Sequence, residues 1–253
     1  MANILPASDR VRRPAATALR EPGGGATELD VMPPEPGSHL GAAGVRLAPA
    51  GSRGVDAADR DCLLYVLDGS GTVTHAIGTR YRLERGSAVL LTEGEQATVV
   101  AGDAGLQLVE VSAAAGCDRH APLGERRRHA QLELARRDAA TSGREFQVLF
   151  DMTNGSSRAT MFVGLVPTGR SPWHFHQYDE IVWILDGAGR FHLAGRSEPF
   201  TSGAAFRVHS REPHVVENSG EREMLLLGVF TPAGSPAAAF LCEDPNRRSQ
   251  AAR

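Results

Sequence analysis

The sequence predicts an all-β protein built from two tandem jelly-roll β-barrels. Three observations lead to this fold class. Apolar runs of five to seven residues alternate with glycine-rich turns along most of the chain, a pattern typical of sandwiches and barrels. Few segments show the spacing of an amphipathic helix. The chain also repeats itself once, with a period of about 118 residues, which fits two copies of one barrel.

Three matched blocks define the repeat and stay in register. They pair residues 63–73 with 181–191, 85–91 with 202–208, and 106–112 with 224–230, at offsets of 118, 117 and 118. The first block of each copy contains an Asp-Gly pair, at Asp68-Gly69 and at Asp186-Gly187. Asp-Gly between apolar runs predicts a tight hairpin turn at both places.

The repeat divides the chain into five parts. We predict a flexible arm over 1–34 with a glycine hinge at 23–25, a first barrel over 35–117, a connection over 118–145, a second barrel over 146–242 and a polar tail over 243–253. Part of the connection, residues 124–140, is predicted to be helical. Its arginines are predicted to face solvent, with anion binding as the alternative.

Composition excludes several classes of partner and location. The 253 residues carry a formal net charge of only −3, which gives no reason to expect nucleic acid or an anionic membrane as a partner. No apolar run approaches the length of a membrane span, and the first 26 residues lack the apolar core of a secretory signal. Cys62, Cys117 and Cys242 are odd in number and widely spaced, so we predict reduced thiols in a cytoplasmic protein.

The second copy carries a candidate metal site. His174 and His176 are two apart in a strand pattern, so both side chains point to the same face. Glu180 follows past a bend, and His214 immediately precedes another apolar strand. Imidazole nitrogen with carboxylate oxygen suits Mn, Fe, Co, Ni, Cu or Zn better than Ca or Mg. We therefore predict one divalent transition metal bound by these four side chains, with open positions for a small-molecule substrate.

The first copy lacks these ligands. The matching positions are Asp56, Ala58, Cys62 and Ala97. We therefore predict a metal-free first barrel with a structural or dimerisation role. A homodimer formed through β-strands is expected, because open jelly rolls leave edge strands that need cover.

Two stretches of the second copy resemble the two motifs of the cupin superfamily. His174-x-His176-x3-Glu180-x6-Gly187 resembles the first motif, and Gly203…Pro213-His214-x3-Asn218 resembles the second. There are two departures. Gly169 lies one residue closer to His174 than the usual glycine, and His209 and Arg211 stand where the second motif usually has Pro-x-Gly. The resemblance covers about residues 35–242 and implies a bicupin with one intact metal site, a layout also similar to ureidoglycine aminohydrolase-type bicupins.

The resemblance implies three candidate functions. The ligand pattern is closer to that of cupin dioxygenases, so we rank first a dioxygenase-type oxidoreductase that binds a small oxygenated organic molecule at the metal. The alternatives are a metal-dependent hydrolase or isomerase using Lewis-acid chemistry, and a non-catalytic small-molecule-binding cupin. Residues acting as general acid or base are not assigned. No phosphate-cradling glycine loop is present, so no nucleotide cofactor is expected.

Other side chains of the second copy are weaker candidates. His192 and His209 are predicted either to support the ligands or shuttle protons, or to be ordinary core and surface residues. Tyr178 and Asp179 either gate the mouth of the barrel or form the bend before Glu180. The predicted barrel-lining residues are Met161, Phe162, Val182 and Phe206, whereas Trp173 and Phe175 should pack outside the barrel or at its mouth.

Overall fold

The computed structural model describes residues 10–12, 19–23, 25–117, 119, 121, 123–140 and 143–247, and it confirms the predicted all-β class. In chain order, the strands up to residue 131 are β1 (Val11–Arg12), β2 (Leu19–Gly23), β3 (Ala26–Met32), β4 (Leu40–Leu47), β5 (Ser52–Asp56), β6 (Arg60–His75), β7 (Arg80–Glu84), β8 (Ser87–Leu91), β9 (Gln96–Ala114) and β10 (His129–Gln131). The later strands are β11 (Asp138–Ala139), β12 (Glu145–Phe150), β13 (Thr160–Val166), β14 (Gly169–Arg170), β15 (His174–Phe175), β16 (Asp179–Asp186), β17 (Ala188–Leu193), β18 (Arg196–Thr201), β19 (Ala205–Val208), β20 (Val215–Asn218), β21 (Met224–Thr231) and β22 (Phe240–Leu241). A 3-10 helix covers Met152–Asn154. Within the described residues, no helix is long and apolar enough to cross a membrane.

The first barrel is one nine-stranded antiparallel sheet that bends back on itself. Its strand order is β10-β8-β6-β9-β4-β3-β2, with β5 added to β9 and β7 added to β6. The predicted hairpin at Asp68-Gly69 is wrong, because both residues lie inside the continuous strand β6. Gly69 has φ +85° and marks a shift in register against β9. A side chain there would clash with the Gly105 carbonyl, so the Asp-Gly pair forms a bulge where the strand bends.

The second barrel is built from two main sheets. One has the order β1-β19-β16-β21-β13-β12-β11, and the other has the order β14-β20-β17-β18. Phe191 of the second sheet stacks on Phe206 of the first, with ring centroids 4.2 Å apart, so the core lies between them. The predicted hairpin at Asp186-Gly187 is also wrong. Strands β16 and β17 belong to different sheets, and Gly187, with φ +115°, turns the corner between them.

The two barrels share a buried interface, which explains why their strands are apolar on both faces. Along β6, Cys62 and Leu64 point into the first barrel, whereas Leu63 and Tyr65 belong to the core cluster that includes the second barrel. Successive strand residues point to opposite faces, so a strand buried on both sides reads as a continuous apolar run. All three cysteines are free of disulfides, and Cys62 is buried.

The predicted helix of the connection is wrong, whereas the predicted solvent exposure of its arginines holds for Arg127, Arg136 and Arg137 but not for Arg126 and Arg128. Residues 129–131 and 138–139 form β10 and β11. Arg126 and Arg128 both bind the carboxylate of Glu95, which directly precedes β9, the longest strand of the first barrel. Residues two apart in an extended segment point the same way, so one carboxylate can pair with both. Glu95 thereby fixes the connection against the first barrel.

The predicted flexible arm forms strands where the structure describes it. Residues 26–32 form β3, which pairs with β4, and the Gly25 backbone (φ +74°) makes the turn that joins β2 to β3. Residues 11–12 pair with β19 of the second barrel. In the tail, the Asn246 side chain accepts a hydrogen bond from the Gly195 amide (2.7 Å). Residues 1–9, 13–18, 24 and 248–253 lie outside the described residues.

His75 is expected to destabilise the first barrel, so replacing it should raise the free energy of unfolding. It is 2 % exposed, and its ring nitrogens have no hydrogen-bond partner among the described protein groups. Burial lowers its pKa. The matching residue of the second copy is the buried Leu193. Because an unpaired buried polar group costs about 1–3 kcal/mol, His75→Leu should raise the free energy of unfolding by about 1–2 kcal/mol in urea titrations.

The matched control is His192→Leu in the second copy. The His192 Nε2 atom lies 2.6 Å from Glu217 Oε2, so leucine there removes a satisfied contact and should not stabilise the protein. A lower unfolding free energy for His75→Leu than for the wild type would contradict the prediction.

Candidate metal centre

The structure brings the four predicted ligands together at one end of the second barrel. His174 lies in β15 and His214 directly precedes β20, and the two backbones exchange hydrogen bonds of 3.2 and 2.9 Å. Glu180 is the second residue of β16. All four side chains line one cavity, and the residues are between 2 and 7 % exposed.

Each histidine is held by its Nδ1 atom, which leaves Nε2 as the ring atom that could bind a metal. His174 Nδ1 donates to the carbonyl of Pro172 (2.9 Å), His176 Nδ1 to that of Tyr178 (2.8 Å) and His214 Nδ1 to that of Glu212 (2.8 Å). A carbonyl can only accept, so in each neutral ring the proton sits on Nδ1 and the lone pair on Nε2. Metal-ligating histidines are fixed by the same kind of contact.

His176 and Glu180 form a close pair of acceptor atoms that a bound cation would stabilise. The Nε2 atom of His176 lies 3.1 Å from Oε2 of Glu180, and His176 Nε2 has no hydrogen-bond partner among the described groups. With Nδ1 already donating, both of the close atoms are acceptors. Two acceptors at this distance repel unless a second ring proton or a metal cation lies between them. The donor set therefore fits a bound metal.

The electrostatic surroundings keep His174 and His214 neutral, as metal ligation requires. Burial, with Arg144 as the next cause, lowers the pKa of His174 to about 4. Burial lowers the pKa of His214 well below its ordinary value, and the neighbouring rings of His174 and His176 add to the effect. Near neutral pH these two rings therefore carry lone pairs and no charge.

Arg144, which the sequence did not predict, also reaches the site. Its Nη1 donates to Nε2 of His174 (3.2 Å) from a position 30 residues earlier in the chain. No spacing rule links it to the histidines, so only the fold could reveal it. In this arrangement no three or more His, Cys, Asp or Glu side chains within the described ranges are grouped closely enough to hold a metal. A metal bound by these residues would therefore require the Arg144 donor to leave His174 and the four side chains to move closer together.

Most of the remaining lining of the cavity is apolar, and the cavity is small, with a volume of about 70 Å³. Phe162 and Val182 line it as predicted, whereas Met161 and Phe206 are buried but are not part of its lining. Gly228 of β21 provides room, because a side chain there would clash with Phe162 and lie 2.7 Å from the Glu180 carboxylate. The other apolar lining residues include Phe146, Leu165, Val166, Val208, Val216 and Leu226.

The two additional histidines lie away from the cavity. His192 bonds to Glu217. His209 is half-exposed and lies 3.3 Å from Glu35 and 3.9 Å from Asp179. Neither ring is part of the cavity lining, so the structure gives no support for a proton-transfer role.

Tyr178 and Asp179 have different roles. The Tyr178 ring stacks between His176 (4.0 Å between centroids) and Phe230 (3.8 Å), and burial raises its pKa, so the phenol keeps its proton. It is a fixed wall of the cavity. Asp179 accepts a hydrogen bond from the Ser210 amide (2.8 Å) and so organises the bend.

The remaining aromatic and turn residues support the site from outside. Trp173 lies under the guanidinium of Arg170, and Phe175 stacks on Phe240 of β22, so neither enters the cavity. Arg211 adopts φ +61°, the left-handed conformation that a glycine at this motif position would adopt without strain. The Arg211 amide donates to the carbonyl of His176 (2.7 Å), which ties the turn to the ligand strand.

The first barrel offers no comparable site at the matching positions. Two of those four residues are alanines. Burial raises the pKa of the Cys62 thiol to about 12, so the thiolate that would bind a metal is not formed near neutral pH.

Comparison with known families decides the assignment of the second barrel. Residues 161–230, which include all four candidate ligands, match the family model described as "Cupin domain". The second barrel is a cupin domain. A search of curated proteins gave no match.

Solved two-barrel structures extend the similarity over the whole bicupin. A mutant of Bacillus subtilis oxalate decarboxylase OxdC superposes with a TM-score of 0.73 at 16 % identity, covering 92 % of this chain and 79 % of that chain. A second mutant gives 0.74 at 16 % identity, covering 97 % and 84 %. A structure from work on the Mn(II) centres of the same B. subtilis enzyme gives 0.73 at 17 % identity, covering 92 % and 79 %. At these identities the similarity establishes a shared fold, and it confirms the predicted bicupin architecture.

Proposed function

We propose that this bicupin is a metal-dependent enzyme, a dioxygenase-type oxidoreductase that binds a small oxygenated organic molecule at a metal in the second barrel. The observation that carries the proposal is the pair of acceptors formed by His176 and Glu180, 3.1 Å apart in a buried cavity that also holds His174 and His214. Such a pair calls for a cation, and nitrogen with carboxylate oxygen favours a transition metal.

His174, His176, Glu180 and His214 would hold the metal, one per chain. When bound, a divalent ion would supply Lewis acidity, and a redox-active one would also exchange electrons. The chain's own contribution is positional. The Nδ1 contacts orient the rings, Tyr178 fixes the His176 ring, and the apolar lining excludes bulk water. Mn is the first metal to test, because the similar B. subtilis decarboxylase contains Mn(II) centres.

Lewis-acid chemistry is the second candidate, and Arg144 favours it. A fixed cation beside the ligands would stabilise negative charge that develops on a substrate without any change in oxidation state. The similar solved structures are decarboxylases of oxalate, a small dianion, which is compatible with such chemistry. A hydrolase, isomerase or decarboxylase would all use the site in this way.

Oxygen dependence separates these functions. Metal-free protein would be loaded with Mn(II), Fe(II) or Zn(II) and assayed with diketones, catechols, 2-hydroxy acids and oxalate, in air and under argon. We expect turnover that consumes dioxygen and fails with Zn(II). Undiminished turnover under argon would instead establish Lewis-acid chemistry, and tight binding of a compound without turnover would indicate a binding protein.

We also propose that the protein is a homodimer located in the cytoplasm. The unpaired state of Cys62, Cys117 and Cys242 fits a reducing compartment, and the edges of the open sheets fit strand-mediated pairing. Light scattering that gives the mass of a single chain at micromolar concentration would contradict the dimer.

A further inference from the structure

A second and larger cavity lies between the two barrels, apart from the candidate metal centre. Its volume is about 340 Å³, against about 70 Å³ for the metal cavity, and the two cavities share no residue among their described linings. Cavities that bind small molecules typically have volumes of about 300–1,000 Å³. The space between the barrels is therefore large enough for a ligand that the metal cavity would exclude.

The two copies of the repeat provide equivalent walls for this cavity. Tyr65 of β6 and Trp183 of β16 occupy matching positions at the offset of 118 residues, and so do Leu67 and Leu185. Leu132 of the connection also lines the cavity. The lining is mostly apolar and includes two large aromatic side chains, which is the usual character of a small-molecule site.

The two aromatic side chains carry polar groups that lack a protein partner. Tyr65 and Trp183 are each 3 % exposed. Within the part of the chain that the structure describes, neither the Tyr65 hydroxyl nor the Trp183 indole N–H makes a hydrogen bond, and neither atom is completely enclosed. Buried tyrosine and tryptophan usually find a partner for these groups. A ligand in the cavity would supply the missing acceptor.

Arg85 places a positive charge at the mouth of the cavity. Arg85 and Leu134 are both exposed, so the cavity opens to solvent beside them. Burial raises the pKa of Tyr65 to about 12, and the positive charge of Arg85 opposes this rise, so the guanidinium lies near the phenol. Among the described residues, Arg85 has no carboxylate partner. A hydroxyl donor and a cation therefore stand together at one end of an apolar space.

We infer that this cavity is a second binding site, which takes a small aromatic carboxylate. The carboxylate lies at the mouth, where the guanidinium of Arg85 and the hydroxyl of Tyr65 bind its oxygens. The ring lies inside, against Trp183 and the leucines, where aromatic contacts add to the burial of apolar surface. A rigid ring also loses less conformational freedom on binding than a flexible chain does. The site is independent of the proposed metal chemistry.

The test compares 2-naphthoate with its neutral amide, 2-naphthamide, by calorimetry on the full-length protein. The wild type should bind one 2-naphthoate per chain, about threefold more tightly than the amide, because the charge pair lies at an exposed mouth. Arg85→Gln should remove this preference, whereas its control Arg82→Gln, an exposed arginine of β7 outside the lining, should keep it.

Tyr65→Phe tests the hydroxyl separately, because it removes one oxygen and keeps the ring. It should weaken the binding of 2-naphthoate about tenfold, since the hydrogen bond is made to a charged group. The matched control is Tyr81→Phe. Tyr81 belongs to the same barrel and stacks on His129 but is not part of this lining, so the variant should bind as the wild type does.

The two tryptophans of the chain locate the ligand. In the proton–nitrogen NMR spectrum, saturation with 2-naphthoate should shift the indole signal of Trp183 and leave that of Trp173, with Trp183→Phe assigning the two signals. A shift of the Trp173 signal alone, or equal affinity in wild type and Tyr65→Phe, would overturn the inference. No binding by the wild type would also overturn it, and conversion of a dimer to a monomer by Leu134→Arg would then show that a second copy of the chain covers the cavity.

Discussion

Replacing His176 by alanine is expected to remove most of the bound metal while leaving the β-sheet circular dichroism largely intact. The ring supplies one of the four donor atoms, and its Nδ1 contact with the Tyr178 carbonyl (2.8 Å) fixes that donor in place. Substituting groups that only orient a metal ligand costs about 10–100-fold in affinity, so loss of the ligand itself should cost at least ~100-fold. Elemental analysis after dialysis measures the remaining metal.

His192→Ala is the matched control for this prediction. It truncates a histidine of the same barrel whose ring bonds to Glu217 and lies outside the cavity lining. It should retain the wild-type metal content. Full metal content in His176→Ala would refute the ligand assignment, and two tightly bound metals per wild-type chain would show that the first barrel also binds one.

The second large effect is expected at Asp61, which anchors the first barrel to the second. Its side chain is 0 % exposed and lies 2.9 Å from the guanidinium of Arg158, whose side chain is 5 % exposed. The Glu93 amide and the Ser157 hydroxyl also donate to the Asp61 carboxylate, at 2.9 and 3.2 Å. Asp61→Ala would leave the buried guanidinium of Arg158 with only one of its two carboxylate partners, Glu93 at 2.7 Å, and would leave the Glu93 amide and the Ser157 hydroxyl without their acceptor. We expect the free energy of unfolding in urea to fall by about 3–5 kcal/mol.

Two further variants make the Asp61 result specific. Asp59→Ala breaks an exposed ion pair with Arg60 and should change stability by less than about 1 kcal/mol. The double variant Asp61→Ala/Arg158→Met removes both buried charges and should recover part of the loss. A loss at Asp61 no larger than that at Asp59 would contradict the buried network.

The internal repeat extends to this hydrogen bonding, which strengthens the case for two copies of one unit. Asp61 accepts from the Glu93 amide in the first copy, and Asp179 accepts from the Ser210 amide in the second. Both pairs are related by the offset of 117 or 118 residues. In the first copy, Asp61 also forms the ion pair with Arg158 that joins the two barrels. In the second copy, Asp179 organises the bend before Glu180.

The sequence by itself determined the fold class, the repeat and the candidate ligand set. These follow from local rules. Side chains two apart in a strand share a face, so His174 and His176 had to point together, and a repeated pattern of strands had to give a repeated barrel. The absence of ligands at the matching positions of the first copy was equally visible.

Only the tertiary structure decided the details that depend on partners distant in the chain. An Asp-Gly pair permits a hairpin, a bulge or a corner, and the sheet to which the next strand was added made Gly69 a bulge and Gly187 a corner. Arg126 and Arg128 form ion pairs with Glu95, and Arg144 contacts His174, because folding brings together segments that are about thirty residues apart in the chain. Strand periodicity fixes the face on which a side chain lies, whereas sheet topology fixes what it meets there.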